Sequence, residues 1–198
     1  MASQVAICNL ALLKFGSTTI TSITEDTREA RACHALWELV RDDILYSYPW
    51  KFALTRYSLG TPLSADPEFE YNYQYTLPAD CLRVYEMYDS DEEWTVEKGV
   101  LLSNRNSADD DIYIRYIAKI TDVSKYHPAF VKCMATALAA ELAVKLKNDE
   151  KLRLSYLQEL ETYIARAYKL DAIEGEPAKH KSEQDLTQGN YSWQTEGR

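Results

Sequence analysis

Apolar residues near the start of the chain recur at the spacing of a helix. Val5, Cys8 and Leu12 follow one another at steps of three or four residues, so their side chains share one face. Gly16 is placed to end this helix, because glycine readily adopts the left-handed conformation found after helix ends. The pattern predicts a first helix over about residues 5–15.

A second helix is predicted between an acidic start and a proline stop. Asp26, with Glu29 three positions later, has the spacing of a capping box. Pro49 ends the helix at about Tyr48, because the residue before a proline is driven out of the helical conformation. Between these limits one apolar stripe recurs at helical spacing: Ala30, Cys33, Trp37, Val40, Ile44 and Leu45.

The periodicity changes from helical to alternating over residues 51–119. In segment 69–76, aromatic residues occupy every second position from Phe69 to Tyr75, and polar residues fill the positions between them. Such alternation is typical of a strand with one buried face. Further strands are predicted at 54–58, 82–88, 94–96, 99–102 and 112–118. The whole segment is therefore predicted to be an antiparallel β insertion.

Helical spacing returns after the insertion. Pro128 suits the first turn of a third helix over 128–147, and Asn148 separates it from a fourth helix at about 150–173. The elements together predict an α+β fold in which a four-helix bundle carries an inserted antiparallel β domain. The predicted parts are the discontinuous helical bundle (1–50 and 120–174), the β insertion (51–119) and an extended C-terminal arm (175–198).

The composition limits the classes of function. The formal net charge is -9, which argues against a protein that binds nucleic acid through its overall electrostatic field, because phosphate binding needs clustered lysine and arginine. The longest apolar run, around 135–143, is far shorter than the ~20 residues that span a bilayer, so no membrane contact is predicted. The four cysteines form no CxxC pair, which favours free thiols in a reducing compartment.

A search of the sequence for catalytic and binding motifs finds none of the common ones. The dinucleotide motif GxGxxG, the phosphate-binding motif GxxxxGK and the serine-hydrolase motif GxSxG do not occur. The three histidines lack metal-ligand spacing, and the acidic runs at 89–93 and 109–111 lack the glycine and glutamate of a calcium loop. We therefore expect no catalytic residue, no cofactor and no metal, and predict that the chain is not an enzyme.

Several short motifs occur in a defined order along the chain. They are NLALLKFG (9–16), TSITEDTREARA (21–32), VRDDIL (40–45), YPWKFA (48–53) and LPADCLRV (77–84). In this order and spacing they resemble the tail tubular protein A family, the head-to-tail adaptors, or gatekeepers, of short-tailed phages. The resemblance covers roughly residues 5–170.

The resemblance implies a four-helix bundle with an inserted β domain that assembles as a dodecameric ring. We therefore predict a structural head-to-tail adaptor at the head–tail junction of a virion, assembled in the host cytoplasm. Its implied partners are further copies of the chain, the portal protein and a nozzle protein similar to tail tubular protein B. DNA would pass through the channel without sequence-specific binding.

Three alternatives remain open, of which the third is an enzyme whose site the sequence does not reveal. The first is another ring protein of the virion, such as a stopper or tail-completion protein, which would not contact the portal directly. The second is a soluble ligand-binding or regulatory domain that combines helices with a β insertion. A regulator of DNA should carry a basic face, and the sequence shows no basic cluster.

Three arginines of the second helix are candidate contacts between ring subunits: Arg28, Arg31 and Arg41. They share the helix with four acidic residues, Glu29, Glu38, Asp42 and Asp43. Pairing within the helix and ion pairs between subunits both remain open for these arginines.

Aromatic residues mark two further candidate sites. Trp50 and Phe52 follow the second helix, and we predict that they anchor the insertion on the bundle rather than contact a partner. Tyr191 and Trp193 lie in the polar C-terminal arm, where few other large apolar residues occur. We predict that these two dock on a neighbouring subunit or on the portal.

Overall fold

The computed structural model of the chain describes residues 3–88, 92–107 and 111–173, and this part has a mixed α+β fold with four α-helices and two small antiparallel sheets. The helices are α1 (Gln4–Lys14), α2 (Arg28–Ser47), α3 (Pro128–Leu142) and α4 (Glu150–Ile173). The strands are β1 (Leu54–Leu59), β2 (Tyr73–Thr76), β3 (Cys81–Met87), β4 (Trp94–Glu97), β5 (Val100–Ser103) and β6 (Ile112–Ala118). Within these ranges no helix is both long and apolar enough to cross a bilayer.

Thr27 caps the start of α2. Its hydroxyl oxygen accepts a hydrogen bond of 3.2 Å from the backbone N–H of Ala30, which satisfies one of the free donors of the first turn. The prediction that Asp26 caps this helix is therefore wrong by one residue. Asp26 instead forms an ion pair with Arg31.

α3 is largely buried and contacts each of the other three helices. Its many alanines present little side-chain volume, which lets the neighbouring helices approach closely. The buried positions of α3 are Phe130, Cys133, Met134, Ala135, Thr136, Ala137, Leu138, Ala139, Ala140 and Leu142. The core of the helical part is therefore built around α3.

The third helix is predicted over residues 128–147, but only its first part, up to Leu142, has α-helical hydrogen bonding. α3 stops at Leu142, and a π-helical turn, Ala143–Lys147, continues in its place. Asn148 then adopts a left-handed conformation with φ of 54° and ends the turn, a conformation that asparagine tolerates better than most residues.

β6 is the central strand of the first sheet, whose order is β1-β6-β3. Ile112, Ile114 and Tyr116 alternate along β6 and are buried in a core of the sheets. Ile117, on the opposite face, packs into the helical core, and its partner Leu54 on β1 packs against the same core. The end of this sheet nearest the helices therefore shares their core.

The second sheet has the order β2-β5-β4. Tyr75 of β2 pairs with Leu101 of β5 and is 1% exposed, and its hydroxyl donates a hydrogen bond of 2.7 Å to the carbonyl oxygen of Arg105. The strands predicted at 54–58, 82–88, 94–96, 99–102 and 112–118 are confirmed, with no end shifted by more than one residue.

The strand predicted over 69–76 is confirmed only for its second half, Tyr73–Thr76. Before it, the N–H of Tyr71 donates to the carbonyl oxygen of Phe69 across Glu70, whose φ is 71°. A hydrogen bond between residues two apart around a positive φ defines a γ-turn of the rare, strained kind. The turn leaves Phe69 79% exposed, so Phe69 does not belong to the buried aromatic face that the alternation predicts.

Asn9 holds the segment after α1 against that helix. Its side-chain amide donates to the carbonyl oxygen of Ile20 at 2.9 Å and accepts from the N–H of Ile20 at 2.8 Å.

We expect Asn9→Ala to lower the free energy of unfolding by about 2 kcal/mol, because the backbone N–H and carbonyl of the buried Ile20 both lose their partner. Urea denaturation measures the change. Thr18→Ala, at an exposed position of the same segment, is the control, and equal effects from the two variants would contradict the prediction.

Candidate functional site

Trp50 lies where the chain leaves α2 for β1, and only 1% of it is exposed. Its indole Nε1 donates a hydrogen bond of 2.9 Å to the carbonyl oxygen of Ile44 in the last turn of α2. The ring packs edge-on against Tyr48, with centroids 5.3 Å apart, and against Phe130 of α3, at 5.2 Å. Trp50 therefore joins the end of α2 to α3.

Phe52 extends this contact to the start of α3. Its ring stacks on His127 at 5.6 Å between centroids and packs edge-on against Phe130 at 5.1 Å. We call the aromatic residues around this crossing the junction cluster: Tyr48, Trp50, Phe52, Tyr126, Phe130 and Tyr168. The two predicted anchors thus lie among residues of the helices, and that they hold the β segment in place stays a prediction.

The chain returns from the sheets to the helices close to where it left them. The N–H of Ala118 donates to the carbonyl oxygen of Ala53 at 2.8 Å. The N–H of Lys119 donates to the carbonyl oxygen of Asp80 at 2.7 Å, and its Nζ lies 3.0 Å from Oδ2 of Asp42 on α2. The outgoing and returning chains are therefore bonded to each other, and the returning chain also to α2.

Arg41 is enclosed within its own chain, with 2% of the residue exposed. Its Nε donates to Oδ1 of Asp42 at 2.7 Å, whereas Nη2 lies 3.8 Å from Glu38 and makes no hydrogen bond within the described ranges. Burial opposes ionisation of Asp42, but hydrogen bonds from Arg41 and Lys119 outweigh it and lower the pKa of the carboxyl group. The guanidinium of Arg41 is thus not presented on the surface of α2.

The other predicted interface residues differ in where they lie. Arg28 and Arg31 are exposed on the first turns of α2. Arg28 donates from Nη2 to the carbonyl oxygen of Lys145 at 3.0 Å, and Arg31 pairs with Asp26. Their pairing across subunits stays a prediction. Tyr191 and Trp193 lie outside the described residues.

The four cysteines are free thiols, and three of them, Cys8, Cys81 and Cys133, lie in environments that disfavour the reactive thiolate, whereas the hydrogen bond with Cys8 lowers the pKa of Cys33. Burial raises the pKa of Cys81 and that of Cys133 to about 11, so both stay protonated at neutral pH. A hydrogen bond with Cys33, and then burial, raises the pKa of Cys8. Within the described ranges no three His, Cys, Asp or Glu side chains come together as a metal site requires.

Between α3 and α4 lies a groove of about 160 Å³ that the sequence reasoning missed. We call it the α3–α4 groove, and the residues that matter in its walls are Ala129, Lys132, Tyr163, Arg166, Ala167 and Leu170. Ala167 is 2% exposed, whereas Leu170 is 49% exposed. No linear motif marks this groove, because its walls come from two helices.

A second candidate surface is the acidic loop at residues 66–71, which we call the Phe69 loop. Asp66, Glu68 and Glu70 accompany Phe69, and all four residues are exposed. Partial burial, and then the charges of neighbouring glutamates, raise the pKa of the Tyr71 hydroxyl. The loop thus presents an aromatic ring within a field of carboxylates.

No protein-family profile matches this chain, and no curated protein matches it either. Its function is therefore inferred from the residues and from the geometry above.

Proposed function

We propose that the chain is a structural subunit of a tailed phage, namely the head-to-tail adaptor that forms a ring between the portal and the nozzle protein. The proposal includes the finer architecture, in which α1–α4 form one four-helix bundle, residues 51–119 an inserted β domain and residues 175–198 an arm. It assigns the chain no catalytic activity, no cofactor and no metal.

The observation that carries the proposal is where the family-like motifs lie in the fold. The motif at 9–16 ends α1, the motif at 48–53 contains Trp50 and Phe52, and the motif at 77–84 opens β3. Two helices precede the strands and two follow, and α3 contacts all the others. Each motif thus lies at the end of one helix or at the start of a strand. This placement supports an architecture shared with the tail tubular protein A family.

The exposed surface also supports assembly around DNA. Large apolar side chains are exposed on helices and strands alike, including Leu39 of α2 at 68% and Tyr113 of β6 at 46%. Aromatic side chains are enriched where proteins contact one another. Each copy adds a net charge of -9, and an acidic lining would let DNA pass because it offers few cations to replace the counterions of the phosphates.

Native mass spectrometry and light scattering test the proposal, with and without the portal protein encoded in the same genome. We expect either a dodecameric ring or a monomer that forms this ring when portal is added. A dimer that persists at every concentration and ignores the portal would contradict the proposal, as would turnover of a small molecule. A ring that does not bind the portal would instead indicate a stopper or tail-completion protein.

A further inference from the structure

The α3–α4 groove is an apolar pocket with a basic rim. Its volume of about 160 Å³ is close to that of an engineered cavity, roughly 150 Å³, that binds benzene in another protein. Ala167 and Leu170 supply apolar wall, and Lys132 and Arg166 are exposed beside them. In the described part of the chain neither cation forms an ion pair. The groove therefore suits a phenyl ring that is flanked by carboxylates.

The Phe69 loop has these complementary features. The phenyl ring of Phe69 is 79% exposed, and the carboxylates of Glu68 and Glu70 lie on either side of it in the sequence. Neither glutamate forms an ion pair with the residues that the structure describes. The γ-turn at Glu70 is strained, and strain of this kind tends to occur at binding sites.

We propose that Phe69 of one copy inserts into the α3–α4 groove of a second copy, where Glu68 and Glu70 face Lys132 and Arg166. This inference rests on the proposed function, since the second copy is the neighbour in the ring. The contact joins two different surfaces of the same chain, so every copy offers one loop and one groove. Such head-to-tail contacts generate rings when the rotation between neighbours closes.

Two single substitutions separate the two halves of the contact. Phe69→Ala removes the inserting ring and keeps the groove, whereas Leu170→Glu places a carboxylate in the groove and keeps the loop. Each variant alone should self-associate about 30-fold more weakly than the unchanged chain in sedimentation velocity, as expected for loss of an aromatic anchor. Mixed in equal amounts, the two variants should form heterodimers and nothing larger, because only one intact loop and one intact groove remain to meet.

Leu154→Glu and Leu63→Ala are the matched controls. Leu154 lies on α4 and is 52% exposed, close to the 49% of Leu170, but it lies outside the groove. Leu63 lies just before the Phe69 loop and is 39% exposed. Neither control should change self-association. A loss as large as that of the test variants would overturn the proposal, as would a mixture of the two test variants that stays monomeric.

A photoreactive residue in place of Phe69 identifies the occupant of the groove. The full-length chain with benzoylphenylalanine at position 69 is mixed with isotopically labelled copies and with the portal protein, irradiated and digested. We expect crosslinks from the unlabelled to the labelled chain at residues 163–170. Crosslinks to another surface, crosslinks within one chain only, or none at the highest concentration the protein tolerates would overturn the proposal.

The C-terminal arm is the competing occupant, and the same crosslinking on Trp193→Ala distinguishes it. The yield should stay the same if Phe69 fills the groove. An increase would mean that Trp193 was displacing Phe69, and the proposal would be wrong.

The proposed function is tested separately: if Phe69→Ala and Leu170→Glu still form rings on the portal as the unchanged chain does, only the contact is wrong. If the unchanged chain neither associates nor binds the portal, the adaptor function itself fails.

Discussion

Replacing Trp50 with alanine is expected to lower the free energy of unfolding by about 3–5 kcal/mol, the usual cost of truncating a buried tryptophan. Trp50 is 1% exposed and contacts the rings of Tyr48 just after α2, Phe130 of α3 and Tyr168 of α4, so its removal leaves a cavity where these helices meet. The carbonyl oxygen of Ile44 also loses the indole N–H that it accepts. Urea denaturation followed by circular dichroism measures the change.

Two controls separate packing from the hydrogen bond at Trp50. Trp50→Phe keeps an aromatic ring but loses the indole N–H, and it should cost about 1–3 kcal/mol, less than alanine does. Tyr88→Ala, at a residue that is 56% exposed, should stay within about 0.5 kcal/mol of the unchanged chain. A Trp50→Ala effect no larger than that of Tyr88→Ala would refute the role of Trp50 as an anchor.

Replacing Asp42 with alanine is expected to lower the free energy of unfolding by about 3 kcal/mol, because it leaves the buried guanidinium of Arg41 without its close partner. Lys119 loses its ion pair with α2 at the same time. Arg41→Met removes the buried charge itself and keeps the Asp42–Lys119 pair, so it should change stability by only about 1 kcal/mol or less. A larger loss in Arg41→Met than in Asp42→Ala would contradict this assignment.

The acid dependence of stability gives an independent check on Asp42. The pKa of its carboxyl group is lowered in the folded chain, so its contribution is complete above the unfolded pKa, about 3.9, and is lost as the pH falls through the folded value. Asp42→Asn lacks this contribution at every pH. We therefore expect the difference in melting temperature between the unchanged chain and Asp42→Asn to shrink below about pH 4. A difference that is independent of pH would show that Asp42 is not ionised at neutral pH.

The helices and most strands could be predicted because their periodic patterns persist over many residues. The apolar stripe predicted for α2 is buried at every position: Ala30, Cys33, Trp37, Val40, Ile44 and Leu45. The shortened strand at 69–76 has a cause that lies far along the chain. Asn72 is hydrogen-bonded from its N–H and from its side chain to Oδ1 of Asn104, and this contact between distant residues has no signature in the alternation.

The candidate sites could be predicted only where a single segment carries them. Trp50 could be singled out because Pro49 fixes the end of the helix just before it. The burial of Arg41 could not be predicted. In the sequence Arg41 is one of three arginines among acidic residues, and its environment depends on Lys119 and Tyr126 from elsewhere in the chain. The α3–α4 groove was missed for the same reason.

The hydrogen bond between Ala118 and Ala53 means that the whole β segment begins and ends at one place in the fold. The distance between the two ends of the segment is therefore fixed by this hydrogen bond and does not depend on the length of chain between them. Lengthening a flexible loop costs only about 0.6 kcal/mol per doubling. Extra residues in the outer loop at 60–65, before the Phe69 loop, should thus leave the helices undisturbed. An epitope tag or fluorescent label placed there would follow the chain during assembly.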